Sequence, residues 1–155
     1  MNKIKIKSLI IVTFSIIIFT LIICHADGKA TDPRFYGDTF DWDNSGPLEF
    51  IEILKNKQNE VCPTYAIYGF HDKWVKEKNI SQLIGIIDSK EPCANVYSIL
   101  SSFLDCNVST VGKEAAYIIQ GFRSGRYPSD LNSGRADINI DEIKSWWKSK
   151  FKKQQ

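Results

Sequence analysis

Histidine is scarce in this chain, and its scarcity is the first constraint on function. Two occur among 155 residues, His25 and His71. His25 follows a long uncharged run, so the body of the protein keeps His71 alone. One imidazole cannot supply a histidine ligand pair, and no two cysteines stand at zinc-ligand spacing either. Gly-x-Ser-x-Gly, His-Glu-x-x-His and a phosphate-cradling glycine run are also missing. These absences argue against the common metallohydrolase, serine-hydrolase and nucleotide-binding chemistries. One nucleophile arrangement remains, Cys62 with His71 and Asp72. The first two are nine residues apart, too far for a hydrogen bond along a helix. A structural cysteine near a half-exposed histidine is the favoured reading.

Charge is missing from one long stretch. Ser8–Cys24 is 17 residues without an ionisable acid or base, preceded by Lys3, Lys5 and Lys7. A basic segment followed by an apolar one is an export signal. Small residues place cleavage after Ala26, with Ala30 as the second site. The alternative is an uncleaved anchor with the lysines inside and the rest of the chain outside. In both readings the domain is periplasmic or extracellular, or membrane-anchored and outside the cytoplasm. The chain then divides into residues 1–26 as signal, 27–46 as a polar arm and 47–155 as one helical domain.

Net basicity belongs to that signal. The whole chain carries 20 bases against 18 acids. Without the three leading lysines the balance is 17 against 18, so nothing points to nucleic acid. Any membrane contact is expected only through the N-terminal segment, if it is uncleaved. The tail Lys144–Lys153 carries five lysines and no acid; a solvated helix face explains it better than an anionic partner.

An oxidising destination gives the cysteines a role. Cys62, Cys93 and Cys106 remain in the body. Cys93 and Cys106 read as opposite ends of one helix, about 20 Å apart at 1.5 Å per residue. Cys62 with either of them is then the expected disulfide, Cys62–Cys93 being favoured because it joins two successive helix pairs, and the odd thiol is buried or links two chains.

Apolar spacing from Pro47 onward is helical. Leu48, Ile51 and Leu54 form one stripe. Tyr65, Ile67, Tyr68, Phe70, Trp74 and Val75 form a second, wider face. Ile80, Leu83, Ile84 and Ile87 follow, then Val96, Ile99, Leu100, Phe103 and Leu104. A fifth helix opens at Ser109 or Thr110 and ends near Gly121, and a last one begins near Asp141. The leading helices start near Pro47, Ile80 and Thr110, a spacing suited to helical-pair repeats. The expected fold is all-α, about three antiparallel helix pairs in a short α-solenoid or bundle. The stretch "ISQLIGIIDSKEPCANVYSILSSFL…STVGKEAAYIIQGF" resembles HEAT-type repeat proteins over about residues 64–123. The resemblance implies an architecture and transfers no functional residue.

One motif carries possible metal chemistry. "DWDNSGPLEFIE", Asp41–Glu52, resembles an EF-hand loop. Asp41, Asp43, Ser45, Glu49 and Glu52 stand at ligand places, with Gly46 at the turn. Calcium is thus the one candidate cofactor. Pro33 and Gly37 spoil an entering helix, and Pro47 suits a helix start. A helix cap at Ser45 or Gly46 with Glu49 at the third position is favoured over a metal site.

The loop after the fifth helix joins Arg123, Arg126 and Tyr127, residue types enriched at binding hot spots. Trp146-Trp147 reads as core packing rather than an interface. Asn79-Ile-Ser81 and Asn107-Val-Ser109 fit the glycosylation sequon, which matters only after secretion through an endoplasmic reticulum. The expected function is an exported, non-catalytic module that binds another protein, of the immunity or inhibitor type. The alternatives are a calcium-binding protein using residues 41–52 and a hydrolase with an unrecognised site.

Overall fold

Two stretches that carry a helical apolar pattern are extended, and this changes the fold class. The computed structural model describes residues 39–101, 105–131 and 135–151. Residues 1–38, which include the expected signal and most of the arm, lie outside the described residues. In chain order the elements are α1 (Pro47–Asn56), β1 (Thr64–Ile67), β2 (His71–Asp72), α2 (Glu77–Ile86), β3 (Pro92–Cys93), β4 (Asn95–Ser98), β5 (Ser109–Thr110), α3 (Val111–Ser124), β6 (Arg126–Tyr127) and α4 (Ile140–Phe151). Four helices and six strands among the described residues correct the all-α expectation: the fold is mixed α/β, and the three helix pairs do not exist.

The physical reason lies in residues 63–70 and 92–98. Thr64-Tyr-Ala-Ile and Asn95-Val-Tyr-Ser are rich in β-branched and aromatic residues and bounded by Pro63, Gly69 and Pro92, all strand signals. The first strand is buried at Tyr65, Ala66 and Ile67. A strand buried on both faces shows a continuous apolar run, which does not reveal its period. β1 and β4 pair in parallel, Thr64 opposite Asn95 through Ile67 opposite Ser98. Parallel neighbours need a long crossover, and here it contains α2. β2 pairs antiparallel with β6, His71 facing Tyr127. β3 pairs antiparallel with β5, Cys93 facing Ser109.

The disulfide is Cys62–Cys106, not Cys62–Cys93. Its Cα atoms are 4.7 Å apart and 44 residues separated. The preference for Cys93 as the partner of Cys62 rested on successive helix pairs, and Cys93 lies in a strand instead. Cys93 sits in β3 and turns into the core as a free, fully buried thiol, and burial pushes its pKa up to about 12. Asn95 N–H donates to Pro63 O at 2.7 Å, and its side chain donates to Asp105 O at 3.4 Å. Those two bonds draw the neighbours of Cys62 and Cys106 together.

The core centres on α3, which buries both small and large residues from Val111 to Gly121. A helix buried on most of its circumference needs small residues where others cross it. At Gly112 a Cβ would meet Ile87 O at 2.3 Å, while Gly112 N–H donates to Ser89 O at 3.1 Å. Only glycine lets the end of α2 come this close. α1 adds Phe50, Ile51 and Leu54, and α2 adds Ile80 and Leu83. α4 contributes Ile143, with Trp146 and Trp147 partly buried against the same core. Phe40 is also buried, and Trp42 packs beside it at 4.8 Å between ring centres.

Candidate functional site

Tyr127 is the wall between two clefts. α3 ends at Ser124, and Gly125 takes the left-handed conformation, φ 79°, that glycine alone adopts without cost. The chain then reverses into β6. Tyr127 is 1% exposed, so this member of the expected binding loop is a core residue. Arg123 and Arg126 fall on opposite sides of it, one lining each cleft. The structure therefore brings Arg123 and Tyr127 together, and Arg126 and Tyr127 together, but does not unite all three on one exposed surface.

The first cleft, of about 470 Å³, lies between α3 and the N-terminal part of α4. Its two arginines are each paired with a carboxylate. Glu114 is fully buried and accepts from Ser109 Oγ at 2.6 Å and from Arg135 Nη1 at 2.7 and 2.8 Å. The Arg135 guanidinium also lies 3.5 Å from the centre of the Tyr117 ring, whose hydroxyl donates to Ala136 O at 3.0 Å. Burial works against the charged form of Arg135, but Glu114 beside it outweighs that and holds its pKa above the ordinary value. Arg135 Nη2 and the Tyr127 hydroxyl are sealed from solvent beneath this cleft. Arg123 donates to Glu142 at 3.0 Å and to Gln120 at 3.1 Å, 5.4 Å from the Trp146 ring centre. Each arginine here is already held by a carboxylate and an aromatic face.

The second cleft, of about 300 Å³, lies on the other side of Tyr127, between the C-terminal part of α3 and the segment leading into α2. Trp74, Val75 and Phe122 give it an apolar floor, and Lys73, Lys76 and Arg126 give it a cationic rim. All three cations are exposed. The Arg126 guanidinium sits 4.0 Å from the centre of the Phe70 ring, which is itself 39% exposed. None of the three has an ion-pair partner among the described residues. Glu77 is the single acid lining this cleft, and it pairs with Lys150 at 3.6 Å.

Lys73 has an unusual backbone. Its φ is +53°, the one non-glycine with positive φ among the described residues. Its N–H donates to Gly125 O at 2.9 Å, which links the two left-handed residues. A non-glycine there costs about 1–2 kcal/mol. Such outliers persist where the surrounding structure fixes them, and they gather at functional sites.

A third cleft, of about 470 Å³, continues past Trp74 and Lys76 toward Lys78 and His71. Here His71 stacks on Trp42, ring centres 3.7 Å apart and planes 9° from parallel. Cys62 is spent in the disulfide, so it offers His71 no thiol.

The EF-hand-like residues are arranged as a turn and a helix start. Asp41 Oδ1 accepts from the N–H groups of Asp43 and Asn44, and Oδ2 accepts from the Asn44 side chain at 2.9 Å. The Asn44 side-chain amide, then its backbone N–H, hold the Asp41 carboxyl below the usual range. Ser45 O accepts from Trp74 Nε1 at 2.9 Å. Gly46 is the N-cap of α1, Pro47 opens it, and Glu49 is the acid of its first turn. Glu52 is exposed and bridges to Lys55 at 3.1 Å. Among the described residues, no three acidic, histidine or cysteine side chains gather as a metal-ligand group.

Two features escaped the sequence. Glu114 and Arg135 are 21 residues apart with no motif joining them. The rim of Lys73, Lys76 and Arg126 was hidden because Lys73 and Lys76 read as the polar side of a helix. Compared with protein-family models, with curated proteins and with solved structures, the chain matches none. The disulfide is compatible with an oxidising, extracellular or periplasmic location, and no helix of the described residues is long and apolar enough to cross a membrane.

Proposed function

We propose that this is an exported, non-catalytic module that binds another protein, of the immunity or inhibitor type, with its domain outside the cytoplasm. The observation that carries the reading is Arg126. It is exposed, stacked 4.0 Å over a half-exposed Phe70, and has no carboxylate partner among the described residues. Folding leaves this arginine and this ring uncovered beside an apolar-floored cleft. Arginine and aromatic side chains clustered over a pocket are the groups that dominate binding energy at protein interfaces. Export is supported by the basic and apolar run through Cys24 and by the disulfide. The inhibitor type is supported by size and by the absence of recognisable catalytic motifs.

The test places a photo-crosslinking residue at Phe70 in the full-length protein expressed in its own cells. The expected result is a single covalent adduct with one protein, lost when Arg126→Glu is added. The same probe at Val61, beside the disulfide, should give none. Equal labelling from both positions, or no adduct at Phe70, would sink the binding reading. If the captured partner is an enzyme or toxin, the inhibitor type requires that its activity fall on binding and return with Arg126→Glu.

A further inference from the structure

We infer that the second cleft takes an acidic segment of the partner, with an apolar side chain seated between carboxylates. The inference rests on the protein-binding reading and adds the chemistry of what is bound. Three observations carry it. The floor is apolar, formed by Trp74, Val75 and Phe122, and its volume of about 300 Å³ admits one large side chain and its backbone. The rim is cationic on both banks: Lys73 and Lys76 lie on the segment entering α2, and Arg126 lies on β6. The local acid is neutralised, because Glu77 is engaged by Lys150. An arriving carboxylate therefore meets three positive groups and no free negative one lining the cleft.

Lys73 makes the reading specific. Its backbone conformation, φ +53°, is one that glycine adopts freely. The chain places a lysine there instead, on the bank facing Arg126. Contacts inside the fold do not account for the choice, because the ammonium has no ion-pair partner among the described residues and is exposed. A carboxylate from outside gives that side chain a role. The adjoining cleft adds Lys78 but also Asp43 and Asp72, so the excess of positive charge is confined to the second cleft. The first cleft is a poor alternative for an acidic segment, since Asp130, Asp137 and Glu142 line it.

The test titrates isotope-labelled protein, purified from cells that export it, with a pentapeptide. A central phenylalanine is flanked on each side by two carboxylate residues. Amide resonances of Lys73, Lys76 and Arg126 should shift saturably. Replacing the four carboxylates by their amides should weaken binding at least about tenfold, and raising salt to about 0.5 M should do the same, since exposed charges are screened over a few ångströms there. Lys73→Gly should weaken it about two- to fivefold, the worth of one exposed ion pair, with the spectrum otherwise preserved. Equal affinity for the amide peptide overturns the inference, as does binding insensitive to Lys73→Gly. Tighter binding of phosphatidylglycerol vesicles to the same residues assigns the rim to a lipid surface and also overturns it. If the Phe70 probe captures a protein while the acidic peptide fails, protein binding stands and the acidic class falls. If both fail, both fall.

Discussion

Arg126 and Arg135 are nine residues apart in the chain and stand on opposite sides of Tyr127 with opposite fates. Arg135 is largely buried, with its charge spent on Glu114 and its face on the Tyr117 ring. Arg126 is exposed, has an aromatic ring beneath it, and forms no ion pair among the described residues, with Asp72 opposite it on the neighbouring strand. Both stack on an aromatic, so stacking alone does not distinguish structure from function. The distinguishing quantity is whether the fold itself neutralises the charge. On one side of Tyr127 the arginine is closed off by the fold, and on the other it is open.

The sharpest way to break this contrast is to open the closed side. Removing one partner of a buried ion pair leaves the other charge desolvated and costs about 3–5 kcal/mol. Glu114→Ala should therefore lower stability by that amount, read as a shift of the urea midpoint with unchanged slope. Glu114→Leu combined with Arg135→Leu should recover most of the loss, because no buried charge is then stranded. A single-variant loss below about 1 kcal/mol would mean that Arg135 reaches solvent when freed and that the side is not closed.

A somewhat smaller effect tests how the closed side is held. Cys106 is three residues before Ser109, whose hydroxyl donates to Glu114 at 2.6 Å. Cross-linking residues 44 apart stabilises by about 2–4 kcal/mol, mainly through the unfolded chain. Replacing both Cys62 and Cys106 by alanine should cost that much. Resonances of Ser109 and Glu114 should move while those of Phe70 and Arg126 stay in place. Movement confined to the Arg126 side would show that the disulfide braces the open surface instead.

How much of this contrast the sequence displayed depends on the range of the interaction. The start of α1 was legible, because Gly46-Pro47 is a local helix-opening pattern and the helix begins there, although Glu49 makes no capping bond. Cysteine chemistry was legible as a disulfide from Cys62 but not as a choice of partner, because the preference for Cys93 rested on successive helix pairs. Residues 92–98 form no such pair: Pro92 and the run Asn95-Val-Tyr-Ser form strands whose partners, Thr110 and Thr64-Tyr-Ala-Ile, lie far along the chain. Strand identity is set by those partners more than by the strand's own residues. Tyr127 illustrates the same limit at the site. An Arg/Tyr loop between Gly121 and Asp130 reads as an exposed surface, yet the His71 pairing folds Tyr127 inward. That inward turn separates Arg123 from Arg126. The aromatic content marked the region as important but could not say which side of the tyrosine each arginine would take.

The smallest expected effect on stability gives the finest test of the contrast, and it falls on Lys73. At φ +53° a lysine and an alanine are equally strained, because the penalty comes from the Cβ. Glycine removes that penalty of about 1–2 kcal/mol and returns about 0.5–1 kcal/mol through the greater freedom of the unfolded chain. Lys73→Ala should therefore leave the thermal midpoint where it is, and Lys73→Gly should leave it unchanged or raise it slightly. A residue kept for folding would show the reverse order, with both substitutions destabilising by more than about 1 kcal/mol. Under the open-side reading, both variants keep the fold and both lose affinity for a carboxylate-rich segment, alanine as much as glycine. That pairing of neutral stability with weakened binding separates a side chain retained for its charge from one retained for the turn it occupies.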